Sequence, residues 1–385
     1  MIARRLSLFL TLPFVLAACP SDDTSGDSET ENGTTTGMMT ASATSPSTST
    51  SASTTASTTA STTDTTGPTT SETTTTGESD TDTSSSTGVP CDPTVVELPG
   101  DLLFPEGIAA HSDGTMYVGS LGTGEILHVT LCPESGEEYI VEQLNDGVDS
   151  NSVVGIVVDE TNNVIWACNS DFAGVMPGEI QGFSLDDGTL VATHAFAGGV
   201  CNDLTLDGDG NLYGTESFSS VIMRVATADL MSDSDAEVWS NDSAYEVNPG
   251  EFGLNGIVFD GADALYVLNT APGEVYEVPI LGNGDADNPN LVDLGKSVLL
   301  GPDGIETEAA DSLIVVENGG AALTRITLAK AGNTVEVLDD TFDVPTTGAI
   351  IGPDIWIVES QLDHLTDPEG AGPPELPFVL VRRTL

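Results

Sequence analysis

Glu106, Asn202, Asn255 and Asp303 stand at the same point of a repeated phrase, each directly before the position held by Gly107, Asp203, Gly256 and Gly304. Two further copies place Val154 and Thr347 there. Asn and Asp favour loop ends in any case. In a ring of repeats, however, equivalent positions face one axis, so these oxygens converge. Converging carboxylates repel one another unless positive charge lies between them. Two carboxylates and two amides, with no His or Cys, make a hard-oxygen donor set whose charge balances a divalent cation. Ca²⁺ fits best, because it accepts irregular oxygen cages and retains water, whereas Mg²⁺ demands a stricter octahedron. Another divalent metal stays open.

The elements that must position these residues are six copies of a strand, a turn and a second strand: PEGIAAHSDGTMYVGS, SVVGIVVDETNNVIWACNS, CNDLTLDGDGNLYGTES, LNGIVFDGADALYVLNT, PDGIETEAADSLIVVEN and TTGAIIGPDIWIVES. Aligned on Gly107, Gly155, Asp203, Gly256, Gly304 and Gly348, they are spaced by 48, 48, 53, 48 and 44 residues, one unit per propeller blade. Each pair is followed by an alternating third strand (EILHVTL, EIQGFSL, VIMRVA, EVYEVP, ALTRITL, FVLVRR). Five are followed by a fourth (YIVEQL, LVATHAF, AEVWS, NLVDLG, TVEVLDD). The sixth blade lacks its fourth strand at the C-terminus, and TVVELP at 94–99 supplies one that covers the open edge. Ser112-Asp113-Gly114, Asp207-Gly208-Asp209-Gly210 and Asp260-Gly261 fall where the first strand must reverse. The fold expected is all-β: a six-bladed propeller over residues 91–385, closed by an N-terminal strand.

Residues 1–19 carry Arg4 and Arg5, an apolar run from Leu6 to Leu16, and small residues ending at Cys19. The run is short for a membrane span and reads as an export signal. Leu16-Ala17-Ala18-Cys19 resembles a bacterial lipobox, in which Cys19 is lipidated after cleavage. No Asp follows Cys19, which points to the outer membrane where the source has one. Residues 20–90 are Ser/Thr-rich, without Lys or Arg and nearly without large apolar side chains, the composition of a disordered linker. The expected product is an exported, lipid-anchored monomer that touches the membrane only through that anchor.

Charge and motifs exclude several classes. A net charge of −53, carried mainly by 91–385, repels nucleic acid and anionic lipid surfaces. There is no G-x-S-x-G elbow, H-E-x-x-H helix or phosphate-binding Gly-rich loop. His111 and His128 read as polar strand-face residues, and the loop at 282–290 as an acidic, solvated turn rather than a second Ca²⁺ site. Cys91, Cys132, Cys168 and Cys201 permit two disulfides in an exported domain, with Cys91 and Cys132 as the first pair and free thiols as the alternative.

The phrases PEGIA, NDLTLDGDGNLYGTES and LNGIVFD, in this order across the blades, resemble the SMP-30/gluconolactonase/LRE family of calcium-dependent lactonases, with paraoxonase-type propellers as more distant relatives. The resemblance covers essentially all of 91–385. It implies Glu106, Asn255 and Asp303 as metal ligands, with Asn202 beside the metal and its water. It also implies metal-assisted hydrolysis of a lactone or ester, in which Asp303 draws a proton from the attacking water and Asn202 orients water or substrate. One departure bears on substrate: sugar-lactonase members carry an Arg two residues before that Asn, and here the position is Val200. The alternative is a non-catalytic tethered propeller, with a structural metal, that binds a protein or glycan partner. Room for a small ester above the four residues would favour catalysis, and a blocked mouth would favour binding.

Overall fold

The computed structural model describes residues 91–148, 150–172, 176–196 and 198–385. The signal segment with Cys19 and the 20–90 linker lie outside the described residues. Six antiparallel sheets of four principal strands form the blades. Their first strands are Pro105–Ala110, Val153–Asp159, Cys201–Leu206, Leu254–Phe259, Pro302–Ala309 and Pro345–Ile351. The last blade runs Pro345–Ile351, Asp354–Glu359, Phe378–Thr384 and then Val95–Leu98, with Val96 opposite Leu380 and Leu98 opposite Phe378. The N-terminal strand thus closes the ring, as the sequence pattern requires.

Turn chemistry sets each first reversal. Asp113 accepts the Thr115 N–H at 2.9 Å, and Asp207 accepts those of Asp209 and Asn211 at 2.9 Å each. Gly114 and Gly210 supply the positive φ these turns need, +93° and +80°. The 282–290 loop is likewise a local turn, with Leu281 bonded to Asp285 and the Gly284 carbonyl capping the Trp239 indole at 2.9 Å. His128 meets Glu142 at 3.0 Å and His111 meets Asp113 at 3.0 Å, both on strand faces or their ends.

The core is divided into clusters between adjacent blades. One gathers Val96, Leu98, Phe104, Trp356 and Phe378 across the closure, and another gathers Val154, Trp166, Leu204 and Met223 between blades two and three. Second strands such as Val164–Asn169 and Leu212–Glu216 are buried along their whole length, because neighbouring blades cover both faces. Disulfides join Cys91 to Cys132 and Cys168 to Cys201, with Cα separations of 5.6 and 5.1 Å. The first pair is the one expected. The second ties blade two to the strand that carries Asn202.

Two features depart from the sequence pattern. The fourth strand of blade four is only Asn290–Leu291: beyond it the Val292 N–H still bonds to the Val275 carbonyl at 2.9 Å, and Asp293–Gly295 leaves the sheet. The connection after Glu359 carries two short helices, Leu362–Thr366 and Pro368–Ala371. Among the described residues no helix is long and apolar enough to cross a membrane.

Candidate metal centre

In every blade the pairing of first and second strands slips near the start of the first strand: between Pro105 and Ile108, Val153 and Ile156, Cys201 and Leu204, Leu254 and Ile257, Pro302 and Ile305, Pro345 and Gly348; blade five slips again between Thr307 and Ala309. The two residues inside each slip near the strand start form a bulge, which re-aims a side chain out of the pleat. Glu106, Asn202, Asn255 and Asp303 all lie inside these bulges. Glycine follows for a steric reason. A Cβ on Gly107 would stand 2.2 Å from the Val154 carbonyl oxygen, and one on Gly256 would stand 2.4 Å from that of Asp303. The inner strands can approach the axis this closely only without a side chain there.

The structure brings all four residues around one cavity of ≈ 10 Å³, lined also by Asp203, Thr347, Gly155 and Gly304. That is about the space of one water-sized sphere. Glu106, Asn202 and Asn255 are 7 %, 5 % and 7 % exposed, and Asp303 is half-buried. Val154, at the equivalent point of blade two, belongs instead to the apolar cluster between blades two and three.

The electrostatics of this ring are unfavourable without a cation. Burial pushes the Glu106 carboxyl well above its ordinary range, and Asp303 and Asp203 add to the shift. Burial raises Asp303 to about 8, opposed by a hydrogen bond from Asn255 and reinforced by Asp203. Glu106 Oε2 is shielded from solvent and has no hydrogen-bond partner. Such an orphaned oxygen is costly to leave unmet.

The amides are oriented for the same role. Thr270 Oγ1 donates to the Pro302 carbonyl at 2.8 Å, so it can only accept from Asn255 Nδ2, 3.1 Å away. This fixes the Asn255 amide and leaves its Oδ1 free of Thr270. Among the described residues no group of three or more His, Cys, Asp or Glu is arranged to hold a metal. Any ion here must therefore take amide oxygens beside the carboxylates, and the donor set fits a hard divalent cation.

Two channel carboxylates escaped the sequence reading. By strand pairing, Asp203 occupies the register held by glycine in four of the other repeats and by Thr347 in blade six, where Thr346 rather than Thr347 matches Glu106. Its Oδ1 accepts the Leu204 N–H at 2.9 Å and its Oδ2 the Ile257 N–H at 3.0 Å, which staples the strand of Asn202 to that of Asn255. Burial raises its carboxyl to about 6, against those two N–H groups. Glu306 lies one layer further along the channel strand, raised to about 8 by burial and then by Asp203. Its register is Ala109, Val157, Thr205, Val258 and Ala349 elsewhere. A lone charge among apolar or small residues was the available signal.

Fold and site together define a six-bladed propeller with a buried carboxylate–amide ring at one mouth of its channel. No protein-family profile and no curated protein matches the chain. Among solved structures, a gluconolactonase from Xanthomonas campestris is similar at 14 % identity and a TM-score of 0.51, over 76 % of this chain and 89 % of that one. A luciferin-regenerating enzyme is similar at 14 % identity and a TM-score of 0.52, over 76 % of this chain and 96 % of that one. At such identities the likeness establishes the fold.

Proposed function

We propose that this propeller is a divalent-cation-dependent hydrolase of small lactones or esters, exported and anchored at the cell envelope through Cys19. The observation that carries the reading is Glu106 Oε2, buried without a partner in the same small cavity as Asp303 and two amides. Glu106, Asn255 and Asp303 would hold Ca²⁺, with Asn202 beside it. Bound there, the cation supplies Lewis-acid polarisation of a carbonyl and charge opposite a developing oxyanion. Asp303, the one partly exposed member of the four, accepts the proton of the attacking water. Asn202 donates from its amide to orient that water or the substrate oxygen. Buried Val200 stands where the resembling sugar lactonases carry Arg, which favours substrates other than sugar acids.

A second reading has its own support. The cavity at the ring accommodates an ion or a water and nothing larger, as expected of a tethered binding module with a structural ion. Hydrolysis of aliphatic and aryl lactones and esters, with Ca²⁺ and with chelator, separates the two when run beside Asp303→Ala. Turnover that needs both the cation and Asp303 supports the hydrolase. A melting temperature raised by Ca²⁺, with no turnover on any compound, overturns it in favour of the module.

A further inference from the structure

The loops that precede the first strands and those that follow the second strands lie at the same end of the channel. Backbone bonds join them in each blade, as from Leu121 N to Phe104 O, Ser217 N to Val200 O, Ala271 N to Phe252 O and Asn318 N to Gly301 O. This is the end that holds Glu106, Asn202, Asn255 and Asp303. Its loops carry exposed Leu102, Val148, Met176, Phe218, Phe252 and Leu300, whereas the loops of the opposite end carry Met231 and Leu281. Phe218 and Phe252 are 43 % and 40 % exposed, with ring centroids 5.0 Å apart, although they come from different blades.

Placement relative to the ring is regular. Leu102, Phe252 and Leu300 precede Glu106, Asn255 and Asp303 by four, three and three residues. At roughly 3.3 Å per extended residue, the chain between them spans no more than about 10–13 Å. Because the cavity at the ring is ≈ 10 Å³, a substrate can present only its carbonyl end to it, and the rest of the molecule must lie against these loops. Among the described residues, Lys296 is the sole Lys or Arg in them; Arg224, Arg325, Arg382 and Arg383 lie on third strands and Lys330 at the opposite end. With the channel carboxylates below, this mouth disfavours anions.

We propose that the mouth loops form an apolar collar, with Phe218 and Phe252 at its centre, that selects uncharged lactones or esters bearing an alkyl or aryl chain long enough to reach it. The collar rests on the hydrolase reading for its substrate, but its binding is measurable separately. The test uses neutral δ-lactones with side chains from methyl to decyl, and the matching δ-lactams as unreactive binding probes. The variants are Phe218→Ala with Phe252→Ala, and Met231→Ala as an opposite-end control.

In the unaltered protein kcat/KM and lactam affinity are expected to rise about twofold per methylene, half the roughly fourfold of complete burial. The rise should lie mainly in KM, flatten in the double Phe variant and persist in Met231→Ala, with melting temperatures alike. Lactam affinity that climbs with chain length without lactone turnover supports the collar while removing the hydrolase. Turnover or binding indifferent to chain length, or a slope unchanged by loss of both Phe side chains, overturns the collar.

Discussion

Glu106 is a carboxyl in a place where neither of its protonation states is comfortable. Ionised, it is buried near Asp303 and Asp203; protonated or not, its Oε2 has no partner. A divalent cation resolves both conditions. Glu106→Gln should therefore abolish the rise in melting temperature produced by Ca²⁺, while in chelator at about pH 8 the variant melts no lower than the parent, because a buried charge has been removed. Differential scanning calorimetry with Ca²⁺ and with chelator reads both effects, and a retained Ca²⁺ shift would refute the assignment. The sign of the pH dependence follows from the same carboxyls. Asp303 and Glu306 are raised to about 8, Asp203 to about 6, and Glu106 well above its ordinary range. Each binds its proton more tightly folded than unfolded, so its stabilising contribution is complete below an ordinary carboxylate pKa of about 4 and is lost as pH rises through 6 to 8. In chelator the melting temperature should fall between about pH 5 and pH 8, and saturating Ca²⁺ should flatten the fall. A chelated protein whose stability rises over that window contradicts the account.

The ends of the second strands hold the bulges in place through two successive residues. The first grips its own blade's incoming loop: Asn169 accepts the Asn151 N–H at 2.8 Å, Glu216 those of Gly199 and Val200 at 3.2 Å each, Glu317 that of Leu300 at 2.6 Å and Glu359 that of Asp343 at 3.3 Å. The second reaches the next blade: Ser170 donates to the Cys201 carbonyl, Ser217 to Leu254 and Thr270 to Pro302, each at 2.8 Å, and Asn318 to Pro345 at 3.0 Å. Glu317→Ala leaves the Leu300 N–H and the Thr324 hydroxyl without their acceptor, at a cost of about 1–3 kcal/mol. Because Leu300 lies three residues before Asp303, this variant should also weaken Ca²⁺ binding more than Glu359→Ala, whose loop leads to Thr347. Equal Ca²⁺ midpoints in the two variants would remove the link between grip and ring. Replacing both Cys168 and Cys201 by Ala opens a 33-residue separation and should cost about 3–4 kcal/mol on the chain-entropy account. Calorimetry checks it, and an unchanged melting temperature argues against a constraining role.

These endings were visible in the sequence as CNS, TES, LNT, VEN and VES, and the strand pattern located the blades because its apolar runs and Gly turns recur at nearly constant spacing. The repeat register also assembled Glu106, Asn202, Asn255 and Asp303, since ring symmetry converts equal register into proximity. Asp203 stayed hidden for the opposite reason. Its function is to break the symmetry, accepting from Ile257, 54 residues further on, where four other repeats have only the hydrogen of glycine and the last has Thr347. The mouth collar was equally illegible, because Phe218 and Phe252 follow no repeat and meet only after two blades have folded.

At the scale of the whole molecule the ring depends on four residues that come first in the folded region. Val95–Leu98 pairs with Phe378–Thr384, and Val96 and Leu98 enter the cluster that includes Trp356 and Phe378. A chain lacking residues 1–99 loses this pairing, those apolar contacts and the Cys91–Cys132 bridge at once. Its last blade then presents the Phe378–Thr384 edge, a template for pairing with another copy. The high negative charge opposes that encounter, and its reach shrinks from about 30 Å at 0.01 M salt to about 3 Å at 1 M. The truncated chain should accordingly melt below the full chain at every salt concentration, yet self-associate mainly at high salt. Calorimetry with light scattering across a salt series measures both. Truncation without loss of melting temperature would mean that the blades hold the ring closed without the N-terminal strand. Association that is strongest at low salt would mean that attraction between complementary charges, rather than the uncovered edge, brings the copies together.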